Sequence, residues 1–342
     1  MNKRTEVVVI TGSSAGVGRA TARRFARDGA RVALLARASK ALDGAAAELR
    51  AAGCEVLAIP VDVADAAQVE LAAERVEQEL GPIDIWINAA MATIFAPVSE
   101  ITAEEFRRAT EVTYLGAVHG TMSALKRMRP RNRGKIVQVG SALAYRAIPL
   151  QSAYCGAKFA IRGFTDALRV ELMHEKSKVS VTMVQLSAFN TPQFQWGRTK
   201  MPCRPQPVPP IFQPEVAAAG IHYAAHHRRR ELWVGYPAVK AILGNGLVPW
   251  LADRMLAKQG YSGQMDEQPV PADRPDNLFE PVDRDFGTHG RFDDRSRLWS
   301  PQLWATTHRG TVAAGLLGAA LLATRTLLAR RQVRPDRIER DD

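Results

Sequence analysis

Apolar, β-branched runs that each lead into a helical pattern constrain this chain more than any other feature of its sequence. "EVVVIT" (6–11), "RVALLA" (31–36), "CEVLAIPVDV" (54–63), "IDIWIN" (83–88), "GKIVQVGS" (134–141) and "KVSVTMVQLS" (178–187) read as buried strands. Between them lie helical patterns, among them "DAAQVELAAERVEQELG" with Asp65 as N-cap and a long stretch opened by the capping-box pair Thr102 and Glu105. A further helix, "PEVAAAGIHYAAHH", and a strand, "ELWVG", bring the count to about seven strands. Uninterrupted alternation of this kind predicts an α/β fold, a doubly wound parallel sheet with right-handed crossovers and helices on both faces. Ligands of such sheets sit beyond the carboxyl ends of the strands.

The rest of the chain is less regular. Residues 188–214 are rich in proline and apolar side chains, which predicts an ordered lid over the body of a first domain spanning 1–237. Residues 238–259 read as a helical pair broken at "GNG", and 262–308 as an irregular, Asp-, Pro- and Arg-rich stretch on the surface, so that 238–308 forms an extension. An apolar helix with an Arg-rich tail occupies 309–342. The basic cluster "HHRRRE" (226–231) reads as a solvated helix end facing the helix dipole, and no nucleic-acid partner is expected despite a net charge of +11. Cys54, Cys155 and Cys203 have neither metal-ligand spacing nor an even count, so neither a metal site nor a disulfide framework is expected. The N-terminus runs directly into the first strand without a separate apolar leader, which favours a cytoplasmic setting.

The chemistry begins at the first strand-to-helix junction, "TGSSAGVG". Gly12, Gly16 and Gly18 permit a tight turn and close backbone approach, and the helix start offers free N–H groups to a pyrophosphate, with Ser13, Ser14 and Val17 in the same turn. The spacing resembles the TGxxxGxG turn of the short-chain dehydrogenase/reductase family. Further stretches carry the resemblance across roughly residues 5–236: Asp62-Val63 at the adenine-contacting position, Asn88-Ala89-Ala90 where the family has Asn-Ala-Gly, and Ser141 followed thirteen residues later by Tyr154 and Lys158 in a YxxxK pattern. The resemblance implies a Rossmann-like oxidoreductase that binds a nicotinamide cofactor through these residues. It also implies dimers or tetramers built on the long helices at 104–128 and 152–175.

The second strand ends "LLAR", placing Ala36 at the expected acidic position and Arg37 after it. With no carboxylate to bind a ribose 2′-hydroxyl and a cation able to pair with a 2′-phosphate, NADP(H) is favoured, with NAD(H) as the alternative. Tyr154 is expected to be the general acid in reduction and the general base in oxidation, its phenol acidified by the ammonium of Lys158 one helical turn away. By resemblance Lys158 also bonds the nicotinamide ribose, and Ser141 donates to the substrate oxygen.

Two departures from the family pattern stand out. Thr113 occupies the place of an Asn that completes a tetrad with a water relay, and a hydroxyl cannot reproduce an amide's donors and acceptor. After the sixth strand, "LSAFNT" replaces Pro-Gly, leaving Thr191 to meet the nicotinamide carboxamide. A cofactor-binding regulator without turnover is therefore the second reading.

In the lid, Phe189, Phe194, Trp196, Met201, Ile211 and Phe212 are compatible either with a pocket for an apolar carbonyl or alcohol or with packing of the lid onto the body. The run "TVAAGLLGAALLAT" (311–324), extended through Arg325 to Ala329, is short for a membrane span, and a basic tail beyond it opposes a simple crossing. An interfacial helix at anionic lipids, or a helix docking on a partner, fits better, and a membrane-associated interaction protein is the third reading.

Overall fold

The computed structural model describes residues 5–332, with side chains through residue 326. Seven parallel strands form the central sheet: β1 (Val7–Thr11), β2 (Arg31–Ala36), β3 (Val56–Pro60), β4 (Ile85–Asn88), β5 (Lys135–Ser141), β6 (Ser180–Leu186) and β7 (Glu231–Val234). Their order is β3-β2-β1-β4-β5-β6-β7, so the direction of winding reverses beside β1. Register places Thr11 beside Leu35 and Asn88, and Ser141 beside Leu186. The carboxyl ends thereby align along one edge, at the reversal where a dinucleotide fits.

Helices cover both faces. They are α1 (Gly16–Arg27), α2 (Lys40–Ala51), α3 (Ala66–Glu79), α4 (Ala103–Thr110), α5 (Gly116–Met128), α6 (Ser152–His174) and α7 (Pro214–His226). The Asp65 side chain caps α3 by accepting from the amides of Ala67 and Gln68, and Thr102 and Glu105 complete the capping box of α4. Helices α4 and α5 are joined through a π-helical turn at Glu111–Leu115, which sets Thr113 inward. One side of the core packs Val7, Val9, Leu35, Trp86 and Ile136 against Val69, Val76 and Leu172. The basic segment after α7 is solvated as expected, with Arg230 paired to Asp166 and His226 to Glu6.

The later elements differ from the sequence expectation in one place. Helices α8 (Tyr236–Leu247) and α9 (Pro249–Gln259) meet at Val248, and Gly244-Asn245-Gly246 lies inside α8. Pro249 breaks the pair because it cannot continue the preceding helix, while Asn245 is held by bonds with Tyr145 and Arg146. The stretch after residue 260 is irregular but anchored. Met265–Pro269 pairs with Cys203–Pro205 of the lid, Ser296–Arg297 with Ile211–Phe212, and Leu278 and Phe292 are fully buried.

The chain divides into two compact units, 1–300 and 301–342. The second holds α10 (Pro301–Thr307) and α11 (Arg309–Gln332), with Leu316, Leu317, Leu321 and Leu322 exposed. No helix among the described residues is long and apolar enough to cross a membrane. The basic tail from residue 333 onward lies outside the described residues.

Candidate active site

β1 ends at Thr11, and Gly12 turns the chain with φ of 68°, a left-handed conformation, while its amide donates to the Leu35 carbonyl at 2.8 Å. A Cβ on Gly12 would stand 2.6 Å from the Ala90 Cα, so the close approach of the turns after β1 and β4 requires glycine. Ala15 leads into α1 with no side-chain cap, and the first turn of α1 carries no acidic residue. Gly12, Ser14, Gly16, Val17 and Gly18 line a cavity of about 870 Å³. The Gly16 amide is taken by the Gly287 carbonyl, and the amides of Val17 and Gly18 at this helix start on the cavity wall suit an anionic group, so these residues fit a pyrophosphate.

Ser141, Tyr154 and Lys158 line the same cavity. Ser141 closes β5, and its hydroxyl accepts from the Leu143 amide at 3.1 Å and shares a hydrogen bond with Tyr154. Tyr154 and Lys158 lie one turn apart on α6, with the ammonium 5.4 Å from the phenol ring centre. Lys158 Nζ donates to the Val139 carbonyl at 2.7 Å. Burial dominates both groups. It raises the Tyr154 phenol, against the smaller lowering effect of Ser141, and pulls Lys158 down to about 8. Burial thus acts on the Tyr154 phenol more strongly than the hydrogen bond with Ser141 does.

Asp62, Val63, Ala89 and Thr191 also line the cavity, whereas Ser13, Asn88 and Thr113 lie behind its wall. Ser13 is fully buried and turned toward the Leu35 carbonyl. Asn88 sits in a buried network, donating to the Ala117 carbonyl, Thr121 and Gln138 and accepting from Trp86. Thr113 exchanges two 2.9 Å bonds with the backbone of Ala92, one donated and one accepted. Its hydroxyl is thus committed to fixing the turn after β4 against the π-helical segment.

Beyond β2, Ala36 and Arg37 line the cavity as expected, but Arg37 is not open. Its two terminal nitrogens donate to the carbonyls of Phe279 and Asn277, far along the chain. Asn277, Leu278, Pro281, Val282 and Arg284 join the lining. No period or motif marks them in the sequence; only the concentration of Asp and Arg after residue 272 sets the stretch apart.

Apolar side chains form much of the remaining lining. Phe189, Phe194 and Trp196 of the lid belong to it together with Leu251, Met255 and Leu256 of α9. Phe194 also packs with Phe95, Ile211 and Phe292, so lid aromatics serve both wall and core. Ser187 lines the cavity with a buried hydroxyl that has no partner among the described residues.

Comparison with known proteins matches this architecture. The sequence pattern of the short chain dehydrogenase family covers residues 6–201. An uncharacterised oxidoreductase of Bacillus subtilis, YxnA, is 31% identical over 322 residues, 93% of this chain and 89% of that protein. A 3-dehydrosphinganine reductase of Danio rerio is 33% identical over 192 residues, 55% of this chain and 57% of that protein. An alcohol dehydrogenase of the archaeon Thermococcus sibiricus, solved with 5-hydroxy-NADP, superposes with a TM-score of 0.58 at 28% identity, covering 68% of this chain and 96% of its own. A short-chain dehydrogenase of Streptomyces avermitilis gives a TM-score of 0.63 at 26% identity over 76% of this chain and 99% of its own. The chain belongs to the short-chain dehydrogenase/reductase family and is an oxidoreductase that acts on CH–OH groups with NAD(P).

Proposed function

We propose that this enzyme uses NADP(H) to interconvert an apolar carbonyl compound and its alcohol, with Tyr154 as general acid in reduction and general base in oxidation. The observation that carries the reading is one cavity lined both by Ser141, Tyr154 and Lys158 and by the glycine turn. The nicotinamide cofactor supplies or accepts the hydride when bound. The residues of the chain do the rest. A phenol kept protonated by burial donates to a carbonyl oxygen, and Ser141 donates a second bond that steadies developing charge there. Lys158, cationic at neutral pH, favours the phenolate when the proton leaves Tyr154, and its donors suit ribose hydroxyls. Thr191 lines the cavity, which supports assigning it the contact with the carboxamide.

The absence of a carboxylate at Ala36 and the charge of Arg37 favour a 2′-phosphate. The apolar wall of Phe189, Trp196, Leu251 and Met255 favours a substrate with a hydrocarbon body. The test is NADPH and NADH oxidation with aldehydes and ketones of increasing chain length. Higher kcat/KM with NADPH and with longer chains supports the reading; preference for NADH or for small polar carbonyls contradicts it.

Two observations extend this reading to partners. Met122, Phe159, Val170 and Met173 are exposed on α5 and α6, which suits a homo-oligomer built on those helices; sedimentation of a Met122→Glu, Val170→Glu variant as the same species as wild type would contradict it. The exposed leucines of α11 suit contact with a membrane surface. Truncation after residue 308 then abolishes flotation with anionic vesicles, and equal flotation of both forms contradicts the contact.

A further inference from the structure

We propose that residues 277–287 form the adenosine-side wall of the dinucleotide site and that Arg284 is the cation that recognises the 2′-phosphate; the inference rests on the NADP(H) reading. The segment runs along the carboxyl edge of the sheet from β3 toward β1. Near β3, Arg108 pairs with Asp62 and donates through Nε to the Leu278 carbonyl at 3.2 Å. Beside β2, the carbonyls of Asn277 and Phe279 accept from Arg37. At the start of α2, Asp283 accepts from the Lys40 amide at 3.0 Å and pairs with the Lys40 ammonium at 2.9 Å. At α1, Asp285 accepts from Arg19 at 2.6 Å, and the Gly287 carbonyl accepts from the Gly16 amide at 3.3 Å.

These contacts sort the charges. Asp283 and Asp285 are neutralised by cations of the body, and Glu280 acts on Arg37, whose charge it favours. Arg284, between the two aspartates in sequence, lines the same cavity as Ala36, Arg37 and Ser39. Its guanidinium lies 4.9 Å from the centre of the Phe286 ring, and no carboxylate pairs with it among the described residues. Arg37 holds the wall in place and adds positive potential, but its terminal nitrogens are committed to carbonyls. Arg284, flanked by the Asp283 contact at α2 and the Asp285 contact at α1, is the lining cation of this segment whose side-chain donors have no partner among the described residues. Guanidinium and phosphate match in a bidentate geometry.

The test is titration of wild-type protein, Arg284→Ala and Arg284→Lys with NADPH, NADH and 2′,5′-ADP, followed by cofactor fluorescence and calorimetry. Arg284 is exposed, so its loss leaves the fold intact, and the lysine variant controls for charge. The alanine variant is expected to bind NADPH and 2′,5′-ADP roughly ten- to hundredfold more weakly, with NADH within about twofold of wild type and partial recovery in the lysine variant. Equal weakening for NADPH and NADH, or no weakening for either, overturns the role of Arg284. Wild-type protein that binds NADH as tightly as NADPH overturns the NADP(H) reading itself.

Discussion

Arg19 on α1 and Asp285 in the C-terminal extension, 266 residues apart in sequence, meet in a 2.6 Å ion pair beside the glycine turn. Arg19 is almost wholly buried and also bonds Glu48 of α2 at 2.9 Å, so one guanidinium ties the first two helices to the extension. Asp285→Ala leaves Arg19 its bond to Glu48 and releases the extension. Limited proteolysis is expected to cut within 276–290 roughly tenfold faster, as for a local opening made easier by about 1.4 kcal/mol. An unchanged cleavage rate would show that the pair does not hold the segment.

Gly44 explains an oddity of α2. Alanine in the middle of a helix is favoured over glycine by about 1 kcal/mol. Yet a Cβ on Gly44 would stand 2.2 Å from Asp285 Oδ2, so the glycine makes room for the carboxylate that Arg19 binds. Gly44→Ala is expected to accelerate cleavage of the extension as Asp285→Ala does, and the double variant to add nothing further. Additive effects, measured by the same proteolysis, would separate the two residues.

Glu105 couples the α4 cap to the lid and the extension. It pairs with Arg198 at 2.9 Å and Lys200 at 2.8 Å, and Arg198 in turn pairs with Asp276. Burial alone would raise its carboxyl, but Lys200, the Thr102 amide and Arg198 lower it from 4.5 to about 2. A depressed folded-state value means that the stabilisation is present above 4.5 and is lost as pH falls toward 2. Glu105→Gln is therefore expected to lower stability at pH 7 and to flatten the acid limb of a Tm-against-pH curve in that window. A variant curve parallel to wild type would contradict this.

Lys158 runs the opposite way. Burial lowers it from 10.5 to about 8, so between those values the unfolded chain binds the extra proton. Stability contributed by this site rises as pH climbs from about 8 to 10.5 and is least below 8. Lys158→Met removes that slope and is expected to gain stability relative to wild type at pH 7 while losing turnover. Thermal unfolding across pH 6 to 11, in roughly one-unit steps matched to a tenfold change in protonation, checks the first part.

Much of this was legible in the sequence, for physical reasons that differ by element. The inner strands of the sheet are buried on both faces and so read as unbroken apolar runs, and Asp65 and Thr102 mark helix starts because caps use few residue types. Ser141, Tyr154 and Lys158 are legible through the resemblance, whose spacing matches one strand end and one helical turn, and all three line one cavity. The wall formed by 277–287 was not legible. It is held by carbonyls of Asn277, Phe279 and Gly287, which any residue supplies, and by charges whose partners lie more than two hundred residues away. The bonds of Thr113 to Ala92 depend on a π-helical turn that no local pattern signals.

The central claim is that the Tyr154 hydroxyl moves the proton while its neighbours hold the cofactor. Tyr154→Phe deletes that oxygen alone and keeps the ring. Its NADPH affinity, read by cofactor fluorescence, is expected to match wild type, and its kcat for reduction of a long-chain ketone to fall by ~10²-fold or more. Turnover at the wild-type rate with NADPH bound would contradict the account.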